Sequence, residues 1–137
     1  MGKDVAILRV EAPAQMRYPT AGDWTSYGGH RVAQVTAADT GDDKMNVLLL
    51  LHELVECILC HFAGIWSDAV DAFDLQFEAE RAAGKHTEDE EPGNDIRAPY
   101  WQQHQYATAV EVQMAAFLGV NWEAYEATLN DLPLKTL

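Results

Sequence analysis

The sequence predicts one α+β domain, mainly helical, with three to four helices and a small N-terminal β-hairpin or sheet. Residues 1–40 are β-prone and punctuated by Pro and Gly, which marks a β element. Met45 to His61 contains neither Gly nor Pro, and two later segments repeat apolar residues at helical spacing, so 42–129 reads as a helical core. At 137 residues the chain has the length of a single domain and can bury a core without disulfides or metal.

In order, Val5 to Val10 is a strand, and Pro13, Pro19 and Gly22 break the segment after it. WTSYGGHRVAQVT then reads as a hairpin, with Gly28-Gly29 supplying positive φ between two β-prone arms. Asp42 or Asp43 can cap the first helix, which Gly64 stops. Ser67 can cap a second, Asp68 to about Arg81, with Val70, Phe73 and Phe77 as its apolar stripe. Residues 84–95, GKHTEDEEPGND, read as a solvated acidic loop. A third helix runs from about Pro99 to Leu118 with Gly119 as its stop. Asn121 can cap a last one, Trp122 to about Leu129.

Nine Lys and Arg against 22 Asp and Glu give a formal charge of −13. That repels nucleic acid and anionic membranes, and no basic stripe offsets it, so neither is an expected partner. The first ten residues lack a signal-peptide apolar core, and no uninterrupted apolar run approaches about 18 residues. The expected location is the cytoplasm, where Cys57 and Cys60 stay thiols.

LLLLHELVECILCH, residues 48–61, holds three incompatible motifs. Cys57-x-x-Cys60-His61 spells a haem attachment, but that chemistry needs export. Cys57 and Cys60 instead read as small core residues, and no haem is expected. On a helical wheel His52, Glu53, Glu56 and Cys60 fall within about 100°, and apolar residues fill most of the remainder. A helix this apolar is expected to be largely buried, which is unfavourable for carboxylates and imidazole unless they are paired. Between Lys44 and Arg81 there is no Lys or Arg to pair with.

The second helix places Asp71, Asp74 and Glu78 within about 60° of one another. The third places His104, Thr108 and Glu111 on one face. Three helices thus present ligand-type residues, and a divalent cation is the simplest species that makes their convergence favourable. The alternative is a structural network in which His52 and His104 are protonated or hydrogen-bonded and Arg81 or Arg97 reaches in.

The His52-Glu53-x-x-Glu56 helix resembles the active-site helix of zincins, where ligands at i and i+4 flank a Glu that polarises water. That resemblance implies zinc held by His52 and Glu56, with His104 as third ligand and Glu53 as general base. The HRVAQVT strand resembles the zincin strand that aligns a peptide substrate. Glu53-x-x-Glu56 with Asp71-x-x-Asp74 also resembles the MazG-like nucleoside triphosphate pyrophosphohydrolases, which implies magnesium or manganese held by carboxylates over phosphates. Finally, LHELVECILCHFAGI, VDAFDLQFE, EPGND and APYWQQHQYATAVE, within residues 48–129, resemble an uncharacterised small phage and prophage-type family. This implies a site of His52, Glu53, Glu56, Asp71, Asp74, His104 and Glu111, and the host cytoplasm as location. It implies no particular reaction, and a non-enzymatic phage accessory protein fits it too.

Overall fold

The computed structural model describes residues 1–135. It is α+β and mainly helical, with three strands, β1 (Ala6–Glu11), β2 (Gly22–Trp24) and β3 (Ala33–Ala38), preceding four helices. The helices are α1 (Asp43–Ala63), α2 (Ser67–Ala82), α3 (Trp101–Leu118) and α4 (Trp122–Asn130). The sheet order is β1-β3-β2, with β1 parallel and β2 antiparallel to β3. The hairpin forms as its glycines suggest, Gly28 and Gly29 having φ of 142° and 59°. Its second arm, however, is the central strand. β3 has a partner on each side and no free edge for a substrate; the edge strands are β1 and β2.

Local chemistry sets most helix ends. Asp42 accepts from the Met45 N–H, Asn121 accepts from the Ala124 N–H, and Gly64 and Gly119 terminate α1 and α3 in the left-handed region. Ser67 does not cap α2. Trp66 holds that position, and the Ser67 hydroxyl meets Ser26 of the β2–β3 connection instead. A side chain that can cap a helix does so only if tertiary packing leaves it free.

α1 packs between β3 and α3. Along it, Leu48 and Leu49 join one apolar cluster with Ala37, Ala115 and Tyr125, and Cys57 and Cys60 join another with Trp24, Val35, Phe73, Phe77 and Tyr100. His52 and Glu56 lie on α1 between these two sets. The expectation that α1 is largely buried fails on its apolar side: Phe62 is 80% exposed and Val47 49%. Phe117 on α3 is 89% exposed. The polar faces of both helices turn inward because that is where their side chains pair. α1 is long and apolar enough to cross a membrane by length and composition. No single apolar run signals this, because His52, Glu53 and Glu56 interrupt the sequence.

Residues 84–95 are not simply a solvated loop. Pro92–Asn94 forms a 3-10 turn, and Gly93 is buried against the His104 ring, where a Cβ would lie 2.4 Å from Nδ1. Arg81 anchors this strap by donating to the Thr87 and Glu90 carbonyls. His86 stacks on Phe77 and bonds Glu80 and Glu90. The missing apolar residues gave no hint of burial, because a glycine and ion pairs dock the strap.

Candidate metal centre

α1 places His52 and Glu56 one turn apart on one face, and α3 brings His104 opposite them. All three are buried, at 7%, 4% and 7% exposure. His52 Nε2 lies 3.2 Å from Glu56 Oε2 and 3.2 Å from His104 Nδ1, and His104 Nδ1 lies 2.9 Å from the same Glu56 oxygen. Donors around a tetrahedral zinc at about 2.0–2.2 Å are separated by about 3.3–3.6 Å. The three atoms therefore form nearly one face of such a tetrahedron, and this buried group could hold a metal ion.

Surrounding side chains orient each donor. His52 Nδ1 is 2.8 Å from Glu111 Oε1, while Tyr125 donates its hydroxyl hydrogen to the other Glu111 oxygen. Trp24 Nε1 donates to Glu56 Oε1 at 2.9 Å, leaving Oε2 to face the imidazoles. His104 Nε2 points toward Glu91 of the strap at 3.4 Å, without the geometry of a hydrogen bond. A carboxylate behind a ligating histidine holds its outer N–H and leaves the inner nitrogen as a lone pair. With both histidines neutral in that arrangement, three lone pairs would face one another, which only a proton or a cation can relieve.

Electrostatics show the strain of so many acids. Burial opposes protonation of His52, yet the bonds to Glu111 and Glu56 raise its pKa well above the ordinary 6.5. His104 is raised as well: burial opposes this, and Glu56 and Glu91 outweigh it. Burial pushes Glu56 upward, but the two imidazoles hold it at about 2. Glu53 moves the opposite way, well above the ordinary 4.5, through burial and the neighbouring Glu56 charge. Its carboxylate takes no part in the hydrogen bonds that join His52, Glu56, His104 and Glu111. It lies against Gly22, where a Cβ would be 2.3 Å from Oε1.

A cavity of about 630 Å³ opens over this cluster, lined by Glu53, Asp74, Tyr18, Tyr100, the free-edge strand β2 and the strap. Asp74 accepts from the Tyr100 hydroxyl and, at 3.2 Å, from that of Tyr18; burial lifts its pKa to about 7. The other proposed site residues take different places, and none joins the three donors as a ligand. Asp71 is held by Arg17 at 3.1 Å and lies outside the cavity lining. Glu78 lines the cavity but is paired with Arg81 at 3.0 Å. Thr108 is half-buried and does not line it, and Glu111 orients His52 from behind. Arg17, from the segment between β1 and β2, also pairs with Asp23 at 2.6 Å. It supplies the positive charge that the sequence around α2 lacks, whereas Arg97 pairs with Glu80 and Asp95 outside the cluster.

Both cysteines are core residues, 1% and 0% exposed, and burial pushes the Cys57 thiol up to about 12. Sequence reasoning missed Trp24, Tyr125, Glu91, Tyr18 and Tyr100. None has a local signature; only Pro92-Gly93 hinted at a close backbone approach. Comparison with protein-family models, with curated proteins and with solved structures finds no match.

Proposed function

We propose that this protein is a divalent-metal-dependent hydrolase, with zinc the favoured ion, acting on a peptide or amide bond. His52, Glu56 and His104 hold the ion, and Glu53 is the general base. The observation that supports this best is the meeting of those three donors from two helices, within 4.8 Å of one another, beneath an open cavity. Two histidines and a glutamate are a known donor set for catalytic zinc, so Glu56 at the second helical position is chemically sound. The ion would supply Lewis acidity and lower the pKa of a water at its fourth position. Glu53 is next to His52 in sequence and outside the ligand hydrogen bonds. With an ion offsetting the neighbouring negative charge, the Glu53 carboxyl would ionise and could take a proton from water and return it to the leaving amine.

The nucleotide alternative requires Glu53, Glu56, Asp71 and Asp74 to share magnesium or manganese. Asp71 faces Arg17 and Tyr18 instead, and such a site gives His52 and His104 no role. Metal analysis of the purified, unchelated protein is the first test, followed by screening against peptides and against nucleoside triphosphates with magnesium. Zinc near one per chain and amide hydrolysis lost in His52→Ala support the proposal. Pyrophosphate release that survives both His52→Ala and His104→Ala would refute it in favour of the nucleotide reading.

A further inference from the structure

The outer side of α1 and α3, turned away from the cavity, is apolar and without charge. Although 23% of the chain is charged, residues 45–63 of α1 include only Glu53 and Glu56, and α3 only Glu111. Glu56 and Glu111 are buried in the cluster, and Glu53 lines the cavity. Past Asp43 and Lys44, neither helix has a charged side chain left for its outward surface.

Apolar residues take that place. On α1, Val47, Leu51, Leu54 and Ile58 fall within about 60° of one another, on the opposite side of the helix from His52 and Glu56. On α3, Tyr106, Val110, Gln113 and Phe117 fall within a similar sector, opposite His104 and Glu111. Both stripes step by 4, 3 and 4 residues, the alternation of a coiled-coil seam, which suits a facing helix. Lys44 meets Leu118, His52 meets Glu111 and Glu56 meets His104, so the helices run antiparallel. The two stripes therefore run side by side, with Phe117 near the start of α1 and Phe62 at its end. α1 has the length and composition of a membrane span, yet only 39% of its most apolar window is buried within the chain.

The area is that of an interface. Phe62, Tyr106 and Phe117, at 80%, 61% and 89% exposure, leave about 450 Å² of aromatic side chain in water. With Val47 and the partly exposed aliphatic residues the face reaches about 700 Å², more than the largest apolar patch of an ordinary monomer. Two such faces joined would bury about 1,400 Å², within the span of about 1,200–2,000 Å² for specific, stable complexes.

Charge selects the occupant. Helices that lie on lipid carry Lys and Arg around their apolar side, and Lys44 is the one Lys or Arg on either helix here. An unlike protein that recognised a chain of formal charge −13 would pair with its carboxylates, and this face offers none. Two copies repel each other least when they meet through the surface that has no charge. We infer that this face binds a second copy of the chain, in a two-fold dimer whose α1 and α3 pairs pack as a four-helix bundle and leave both cavities open on the outside. The inference does not depend on the hydrolase reading.

Sedimentation equilibrium of the full chain is the test. The expected mass is twice that of the chain at about 50 μM, because interfaces of this size bind at about micromolar or tighter. Salt screens the repulsion between acidic copies, so the dimer should tighten between about 0.05 and 0.5 M sodium chloride. Phe62→Glu and Phe117→Glu each place a carboxylate on this face in both copies and should weaken dimerisation by at least about 100-fold, with the circular dichroism of the fold retained. Ile96→Glu, exposed but outside this face, should leave the dimer unchanged. Should a Phe variant fail to fold, Tyr106→Ser is the smaller change on the same face and should weaken the dimer by about tenfold. A monomer at about 50 μM, a dimer untouched by the substitutions on this face, or assembly beyond two copies would overturn the inference. So would a monomer that floats with phosphatidylcholine vesicles, which would make the face a lipid-binding one.

Discussion

Glu111→Gln separates a metal centre from a buried polar network. Glu111 is 6% exposed and accepts two hydrogen bonds, from His52 Nδ1 at 2.8 Å and from the Tyr125 hydroxyl. Glutamine keeps the shape but has one acceptor oxygen where glutamate has two. Either His52 or Tyr125 then faces an amide N–H₂, and the charge that fixes the His52 tautomer is gone. Loss of such a partner behind a ligating histidine costs about 10–100-fold in metal affinity, or about 1.4–2.7 kcal/mol. Disturbing the buried hydrogen bonds costs about 1–3 kcal/mol of metal-free stability as well. Tyr125→Phe is the matched control: it removes one donor to Glu111 and leaves the bond to His52, so zinc affinity should fall less. Competition with a chromophoric zinc chelator measures affinity, and thermal melts of chelator-treated protein measure stability. Undiminished zinc affinity in Glu111→Gln together with a lower melting temperature would refute the metal-centre reasoning.

Glu53→Gln should keep metal content and stability near wild type while activity falls by about 10²–10⁴-fold, whereas Glu56→Gln should lose metal; atomic absorption with an amidase assay compares them. Gly22→Ala places a methyl group 2.3 Å from Glu53 Oε1, so the carboxylate must swing away. Activity should drop with zinc retained. Gly93→Ala collides with the rigid His104 ring instead, 2.4 Å from Nδ1, and equilibrium dialysis should show weakened zinc binding. The pH dependence of the metal-free protein is set by groups whose folded pKa is raised. Asp74 at about 7, with Glu53, His52 and His104 moved the same way, contributes stability in acid that is lost as pH rises through the folded values. The metal-free melting temperature should therefore fall from about pH 6 to about pH 8, and zinc should reverse the decline by replacing the lost positive charge. A metal-free protein that grows more stable over that interval contradicts this charge assignment.

What the sequence determined by itself is local. Helix ends at Asp42, Gly64, Gly119 and Asn121 are set by capping and by positive φ, which involve neighbours within four residues. His52 and Glu56 share a face because 3.6 residues make a turn, and Val70, Phe73 and Phe77 point inward for the same reason. Even the approach of His104 was legible, because so many acids without local cations had to be matched by something. Tertiary structure decided the rest. Arg17 reaches Asp71 across 54 residues of sequence, Trp24 reaches Glu56 across 32, and Tyr125 clamps Glu111 from a separate helix. It also split the acidic face of α2: Arg17 neutralises Asp71 and Arg81 neutralises Glu78, while Asp74 faces the cavity between two tyrosines. Periodicity says only which side chains share a direction. Which of them become ligands, partners or bystanders depends on what the chain folds against that direction, and pairings made at long range leave no pattern along the sequence.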